Sequence, residues 1–503
     1  MIKKFVAQVT DLFTRRKPRL RKEPKRIGAA EHAIDRDLVP RNAQRVCETL
    51  QKQGFAAYIV GGAVRDLLLG IAPKDFDVAT DATPEQAAAL FRRSRIIGRR
   101  FRLVHVMCGQ ELVETATFRG DGSPPAEAEL DAGAEDAGDA FDAPEAAPAR
   151  APRSSRARTE TGPGTRQADQ HGRLIRDNVF GTQQQDAARR DFTVNALFYD
   201  PKAEEIVDYH QGVEDLRKRQ IRMIGDPATR YREDPVRMLR AARFEAKLGF
   251  TIEPATAEPI ARLSELLGGV PAARLFDETL KLFLTGHGAR SYAVLKQRGL
   301  LDVLLPNLAA FVRRYPDSAP ERMLIRGLEN TDARVLADKP VTPAFLFALL
   351  MYGPVGVEIE KAPRARWNEI GTILDAVDQA MRVIQPRVAV HRRFVLGLRD
   401  MFALQPRLES PRGRRALRTL EHPRFRAGFD LLQLRAEFGM ADAAIVRWWE
   451  QLQAANPQQR AQLSDASGGG ASAAGSGGEP AGRRRSRRRG RGGRGRGAGG
   501  GGS

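Results

Sequence analysis

The sequence has little cysteine and no long hydrophobic run. Its two cysteines, Cys47 and Cys108, cannot supply a disulfide framework or a zinc cluster, which points to a reducing cytoplasm. No segment reaches the roughly 18 consecutive apolar residues of a membrane span, and the basic N-terminus lacks the continuous apolar region of a signal peptide. These absences argue against disulfide-rich secreted proteins and transmembrane proteins. We therefore expect a cytoplasmic protein whose basic N-terminus makes no more than weak contact with a membrane surface.

Acidic residues are outnumbered by basic ones. The chain has 82 Lys and Arg against 62 Asp and Glu, a formal net charge of +20 at pH 7. This balance favours a polyanionic partner such as nucleic acid or an anionic membrane surface. A length of 503 residues with 42% hydrophobic residues leaves room for two or three domains with substantial cores.

Three segments have compositions that cannot build a core, and we expect them to be disordered. The first is a basic arm over residues 1–30. The second is an insertion over residues 121–168, with nine acidic residues and no Lys or Arg between Asp121 and Ala149. The third is a Gly- and Arg-rich tail over residues 464–503, with nine arginines from Arg483 to Arg496. Charge and flexibility make such a tail suited to nucleic-acid contact.

Between these segments, hydrophobic periodicity predicts an α+β fold. A buried strand over residues 55–60 leads through a Gly-Gly turn into a short helix, and two alternating strands follow over residues 102–107 and 111–118. Beyond about Ile224 the helical period dominates. We expect a head with a small mixed sheet over residues 31–224, split by the insertion. A helical neck over residues 225–285 and an all-α body over residues 286–463 would follow.

The stretch "PKDFDVATD", residues 73–81, places two aspartates one residue apart in an expected strand. Side chains at i and i+2 leave the same face, so Asp75 and Asp77 would stand side by side. Two like charges at this spacing repel each other, and either a cation between them or a proton kept by one carboxyl relieves the repulsion. The pair is therefore a candidate metal site.

A second candidate site lies at the turn before that strand. Gly61 and Gly62 join a strand to a helix, where bare backbone N–H groups can face a phosphate and Arg65 can neutralise it. A triphosphate beside paired aspartates suits Mg²⁺, which binds a few carboxylates together with substrate phosphates. The combination indicates chemistry on a nucleoside triphosphate.

Four motifs in order carry a family resemblance. "VGGAVRDLLLG", "KDFD", "RRDFTVNALF" and "REDPVRMLRAARF" resemble the class II branch of the polymerase-β-like nucleotidyltransferases, which contains tRNA CCA-adding enzymes and bacterial poly(A) polymerases. "IIGRRFRLVHV" and "PAARLFDETLKLF" are more similar to the bacterial poly(A) polymerases. The resemblance implies template-independent transfer of AMP from ATP to RNA 3′ ends. CCA addition to tRNA and a catalytically silent RNA-binding protein are the alternatives.

The resemblance also implies roles for particular residues. Asp75 and Asp77 would hold Mg²⁺, and Arg190 would join the glycines and Arg65 at the triphosphate. Asp191 is carried over as the family's further essential acid, although it could instead cap a helix. Glu114 competes as a third metal ligand, because this fold closes its metal site from an adjacent strand.

The last motif implies how the base is selected. Asp234 and Arg237 lie three residues apart on one helical face, and Arg240 follows at the same spacing. A carboxylate and a guanidinium together match the amine and ring nitrogen of adenine or cytosine, so the pair selects A or C without choosing between them.

The resemblance also implies binding partners, and the sequence suggests roles for some histidine and tryptophan residues. The implied partners are ATP and RNA 3′ ends, with RNA-decay or RNA-chaperone proteins as further candidates. None of the seven histidines precedes an aspartate, so the sequence has no HD-type phosphohydrolase motif. His105, Trp448 and Trp449 are expected to be structural.

Overall fold

The computed structural model describes residues 23–98, 102–120, 167–168, 174–176, 180–411 and 413–468. Most of the predicted basic arm, of the acidic insertion and of the Arg-rich tail lies outside these ranges. No helix within the described ranges is long and apolar enough to cross a membrane.

An eight-stranded mixed sheet forms the N-terminal part, as the sequence predicted. Its strand order is β1-β10-β9-β2-β3-β6-β5-β4. Strands β3 and β6 are parallel and the other neighbours are antiparallel. The strands are β1 Lys25–Gly28, β2 Ala57–Val60, β3 Asp77–Thr80, β4 Ser94–Ile97, β5 Leu103–Cys108, β6 Glu111–Thr117, β9 Leu197–Asp200 and β10 Glu205–Asp208.

Four further strands form two small pairs outside this sheet. They are β7 Gln167–Ala168 with β8 Leu174–Arg176, and β11 Gln220–Ile221 with β12 Thr251–Ile252.

Short helices accompany the sheet. Helix α2 packs Val46, Cys47 and Leu50 into the core, and α4 begins with a capping box between Thr83 and Gln86 that the sequence pattern anticipates. The helices are α1 Ala29–His32, α2 Arg41–Lys52, α3 Gly62–Leu68, α4 Pro84–Leu90, α5 Gln183–Arg189 and α6 Gly212–Arg217.

From residue 227 the described chain is almost entirely helical, in agreement with the predicted change of period. The helices are α7 Pro227–Glu233, α8 Val236–Leu248, α9 Pro254–Leu263, α10 Ala272–Phe283, α11 Gly288–Gln297, α12 Leu301–Leu304, α13 Pro306–Arg314, α14 Ala319–Leu336, α15 Pro343–Ile359, α16 Ile370–Ile384, α17 Arg392–Glu409, α18 Gly413–Leu420, α19 Phe425–Glu437, α20 Ala443–Ala454 and α21 Pro457–Gly468.

The apolar core is continuous from the sheet into these helices. Ile59 of β2, Leu239 of α8 and Leu349 of α15 belong to one buried cluster. A second cluster lies among the last helices, where Trp449 is buried and its indole N–H donates to the Leu408 carbonyl at 2.8 Å. The structural role expected for Trp449 is confirmed.

The ordered chain begins earlier than the sequence predicted. We expected disorder up to residue 30, but Lys25–Gly28 is edge strand β1, paired with β10. Ile27 is buried in the core, and Arg26 forms an ion pair with Glu205 at 2.9 Å. Strand pairing and the buried Ile27 hold this basic segment, and composition over a long window reveals neither. At the other boundaries, β7 begins at Gln167 and α21 extends to Gly468, so a few residues counted with the insertion and the tail are ordered.

The two ends of the insertion meet at the sheet. Arg119 and Phe180 form a β-bridge, and the Gly181 N–H donates to the Phe118 carbonyl at 2.9 Å. Neither β7 nor β8 belongs to the eight-stranded sheet. The chain on either side of this segment is therefore joined at Arg119 and Phe180.

Replacing residues 121–179 by a short Gly/Ser linker should leave a folded protein, because the joined ends are already adjacent and surface loops change length at small entropic cost. The measurement is thermal unfolding followed by circular dichroism. A single cooperative transition close to that of the full chain is expected, and loss of cooperativity would contradict the prediction.

Candidate active site

The two aspartates lie where β3 begins. Asp77 is its first residue, whereas Asp75 precedes the strand, so the strand is shorter than the predicted residues 73–81. The alternation nevertheless holds, because Phe76 and Val78 are buried in the core while Asp75 and Asp77 are exposed. The structure thus presents both carboxylates on one solvent-facing side of the sheet.

Glu114 lies directly beside this pair. In the parallel ladder between β3 and β6 it is the register partner of Asp77, so both side chains leave the same face. Among the described residues, however, no three His, Cys, Asp or Glu side chains gather closely enough to hold a metal ion. Glu114 is next to the aspartate pair without completing a preformed three-ligand cluster.

Two guanidinium groups flank the glycine turn. Gly61 has φ +71°, a left-handed conformation that glycine adopts without strain, and a Cβ there would lie 3.4 Å from Nη1 of Arg190. A Cβ on Gly62 would lie 3.4 Å from Nη2 of Arg65. The structure therefore brings together all four residues that the sequence assigned to the triphosphate.

Asn195 joins these two arginines. Its side-chain oxygen accepts from Nη1 of Arg65 at 2.7 Å, and its carbonyl accepts from Nη1 of Arg190 at 3.2 Å. Asp186 holds Arg190 from the other side at 3.1 Å. Neither Asn195 nor Asp186 was singled out from the sequence, since buried polar partners of this kind carry no periodic signal.

Asp191 is buried and holds α8 rather than facing the aspartate pair. Its Oδ2 accepts from Nε of Arg240 at 2.8 Å, and its Oδ1 accepts from the Phe192 N–H at 2.7 Å. Burial alone would raise the pKa of this carboxyl, but the Arg240 guanidinium and the hydrogen bonds from Phe192 and Asn195 hold the pKa below its usual value. The short 3₁₀ helix that follows, Thr193–Asn195, has Phe192 as its N-cap and no side-chain cap bond, so Asp191 is not the helix cap considered as the alternative. The ion pair gives Asp191 a second, long-range partner.

Asp234 and Arg237 are both buried, with 2% and 1% of their surface exposed. Asp234 lies between α7 and α8 and forms a two-pronged ion pair with Arg274 of α10, both N–O distances being 2.8 Å. Arg237 donates to the Arg230 carbonyl at 3.1 Å and pairs with Glu233 at 3.3 Å. Burial, together with the nearby charge of Arg230, lowers the pKa of Arg237.

Arg274 is the main residue that sequence reasoning missed. It lies in "PAARLFDETLKLF", which the sequence analysis used for the resemblance without assigning it a role. Arg274 and Asp234 are 40 residues apart in the sequence, so no local sequence pattern indicates that they form a pair.

Family models match three parts of the chain. "Poly A polymerase head domain" matches residues 57–222, "Probable RNA and SrmB-binding site of polymerase A" matches residues 249–312, and "Polymerase A arginine-rich C-terminus" matches residues 366–491.

Solved structures share the fold. A tRNA nucleotidyltransferase complexed with a primer tRNA and an incoming ATP analog covers 81% of this chain and 98% of its own, with a TM-score of 0.51 and 19% identity. The Thermotoga maritima CCA-adding enzyme complexed with tRNA covers 85% of each chain, with a TM-score of 0.50 and 17% identity. The chain has the fold of the nucleotidyltransferases that include the CCA-adding enzymes.

Sequence relatives narrow this class. Poly(A) polymerase I of Haemophilus influenzae is 44% identical over 443 residues, covering 87% of this chain and 90% of its own. Poly(A) polymerase I of Escherichia coli O6:H1 is 43% identical over 446 residues, with 87% and 88% covered. The CCA-adding enzyme of Geobacillus stearothermophilus is 32% identical over 264 residues, about half of each chain. The chain belongs to the bacterial poly(A) polymerase family.

Asp191→Asn should lower the free energy of unfolding by about 3 kcal/mol, because it removes the charged half of a buried ion pair with Arg240. The pKa of Asp191 is lowered in the folded protein, so this stabilisation is present above the usual carboxyl pKa and is lost as the pH falls through the lowered value. Urea unfolding at pH 7 and at acidic pH measures both effects.

Glu214→Gln is the matched control for this prediction. It breaks the exposed ion pair with Lys218 and should change stability by less than about 0.5 kcal/mol. Equal unfolding curves for Asp191→Asn and the wild-type chain would contradict the role of the Arg240 pair.

Proposed function

We propose that this protein is a template-independent polynucleotide adenylyltransferase, which adds AMP from ATP to RNA 3′ ends, releases pyrophosphate and so marks RNA for decay. The observation that carries the proposal is the exposed pair Asp75 and Asp77 at the start of the interior strand β3. The neighbouring strand β2 ends at the Gly61–Gly62 turn, which two arginines flank. Membership of the poly(A) polymerase family supports the same reaction.

The aspartate pair suits a divalent cation. Its carboxylate oxygens are hard ligands, and Mg²⁺ prefers such ligands in combination with phosphate oxygens and water. Asp75 and Asp77 would hold Mg²⁺, which when bound neutralises charge on the triphosphate and on the attacking oxygen. The two aspartates would also place the cation at a fixed position, since the buried Phe76 and Val78 anchor their backbone.

The glycine turn and its arginines suit the triphosphate. The turn leaves room for a phosphate to approach the backbone, and Arg65 and Arg190 are held beside it by Asn195. In the proposed reaction the RNA 3′-oxygen attacks the α-phosphorus, and the bond to the β-phosphate oxygen breaks. The arginines would stabilise the charge that develops on the leaving pyrophosphate.

Asp234 and Arg237 are proposed to select the base. A carboxylate has about four acceptor positions, so Asp234 can accept from an adenine amine while it remains paired with Arg274. Arg237 would donate to the adjacent ring nitrogen. Because both side chains are buried, the base must enter a confined site, where an unmatched hydrogen-bonding edge is costly.

RNA is the proposed acceptor. The stretch over residues 379–399 has five arginines and a histidine and no acidic residue, and the described part of its surface exposes Arg382, Arg387, Arg392 and Arg393. Side chains of this kind contact phosphates and stack on bases. The location in the cytoplasm, and contacts with RNA-decay or RNA-chaperone proteins, remain part of the proposal.

Two observations weigh against the alternatives. The CCA-adding relatives match about half of this chain, whereas the poly(A) polymerases match 87% of it at higher identity. A catalytically silent RNA-binding protein would have no need for an exposed and mutually repelling aspartate pair.

Asp75→Ala and Asp77→Ala should each reduce nucleotide transfer by at least about 1,000-fold without unfolding the protein, because each removes a charge that binds the cation. Purified chains are incubated with Mg²⁺, a labelled nucleotide and two RNAs, one of them a tRNA lacking its 3′ end. The wild-type chain should produce a long A-ladder on either RNA.

The control is Asp81→Asn, which changes an acid of the same segment whose carboxylate accepts from the Ala56 N–H at 2.8 Å. It should retain activity. A terminal CCA on the tRNA alone would favour the CCA-adding alternative, and no product would favour the silent protein.

Arg274→Leu should relax the choice of nucleotide, because Asp234 loses the partner that orients it. The ratio of kcat/KM for ATP to that for UTP is expected to fall by at least about 10-fold, with RNA binding unchanged. Arg262→Leu, which removes an exposed arginine paired only within its own helix, is the matched control. An unchanged ATP preference in competition assays would contradict the assignment.

A further inference from the structure

A row of polar side chains crosses the sheet at the aspartate pair. The register pairs Arg95 of β4 with His105 of β5, His105 with Glu114 of β6, and Glu114 with Asp77 of β3. Register partners leave the same face of a sheet. His105 and Glu114 therefore lie on the face that presents Asp77.

His105 has a buried nitrogen that lacks a partner. The residue is 9% exposed, and its Nε2 forms no hydrogen bond among the described residues. The nearest acidic oxygen is Oε1 of Glu114 at 3.5 Å, just beyond a good hydrogen bond. Buried polar atoms without partners are rare in folded proteins, so this one calls for a physical reason.

Packing alone does not explain an imidazole at this position. The neighbours Val104 and Val106 face the opposite side and fill the core, so they already anchor β5. Glu114 is more exposed by contrast, with 38% of its side chain accessible to solvent. A small rotation of its carboxylate would satisfy Nε2 and fix the negative charge next to Asp77.

We propose that His105 is a positioning residue of the metal site: its Nε2–H holds the Glu114 carboxylate beside Asp77, so that Glu114 adds its charge to those of Asp75 and Asp77. The inference rests on the cation binding included in the proposed function. A third fixed negative charge raises the affinity for a divalent cation whether or not it touches the ion. In this proposal His105 orients a carboxylate of the metal site, whereas the sequence suggested only a structural role for it.

The test measures Mn²⁺ binding to the full-length chain in the presence of a non-hydrolysable ATP analogue, from the EPR signal of free Mn²⁺. Binding that survives in an Asp75→Ala, Asp77→Ala double variant is subtracted as background. Glu114→Gln should weaken the site about 10-fold, and His105→Ala should weaken it equally, as expected for loss of an outer partner. The double variant at Glu114 and His105 should lose no more Mn²⁺ affinity than either single variant, because both changes abolish the same contribution of the Glu114 charge.

Conservative variants of His105 distinguish a role in orienting Glu114 from a role in packing. In His105→Gln the amide nitrogen can reach the position of Nε2 and should restore wild-type affinity, whereas His105→Asn is too short and should not. The matched control is His210→Ala, which removes a half-buried imidazole whose buried Nε2 also lacks a partner but which follows β10 instead of lying in the row. It should leave Mn²⁺ binding unchanged.

Two results would overturn the inference: unchanged Mn²⁺ affinity in the His105 variants, or additive losses with Glu114→Gln. If His105→Ala does not fold, the comparison of Gln with Asn at this position decides. A wild-type chain that binds Mn²⁺ at the aspartates but extends no RNA would disprove the proposed function and leave the role of His105 intact.

Discussion

The buried ion pair between Asp191 and Arg240 is the interaction on which the arrangement of the site depends. Asp191 follows the arginine that flanks the glycine turn, and Arg240 lies one helical turn beyond Arg237. The pair therefore ties the candidate phosphate site in the head to the candidate base site at the start of α8. Removing two charges from water costs desolvation free energy, and their attraction offsets this cost only when their geometry is good. The ion pair therefore constrains both the distance and the orientation of the two side chains.

Like charges at the candidate metal site impose the opposite requirement. Asp75, Asp77 and Glu114 repel one another, and the protein must hold them in place without their help. The apolar residues that alternate with them do this from the other face of the sheet, as Phe76 and Val78 show. A rigid sheet lets the site keep charges that a loop would allow to separate.

The proposed base site has a different design, because its groups are already paired within the protein. Arg274 reaches Asp234 from α10, and Glu233 pairs with Arg237 from the end of α7. Preorganised partners reduce the ordering cost when a base binds, and they penalise a base whose edge does not match. If these groups select the base, selectivity depends on α7, α8 and α10 rather than on the sheet that carries the aspartate pair.

Local patterns in the sequence were enough to predict the α+β fold, the strand-turn-helix at Gly61 and Gly62, and the exposed aspartate pair, because alternation and turn chemistry act over a few residues. The same signals predicted the helical character beyond about Ile224, but not strand β4, helix α2 or the bounds of the individual helices in the body. The strand at Lys25–Gly28 was missed because composition over a long window does not reveal its pairing with β10. Only the tertiary structure revealed the two buried ion pairs, Asp191 with Arg240 and Asp234 with Arg274. It also showed that His105, Glu114 and Asp77 are aligned across three strands. Ion pairs and register join residues distant in sequence, and their partners are chosen by packing, which no local pattern records.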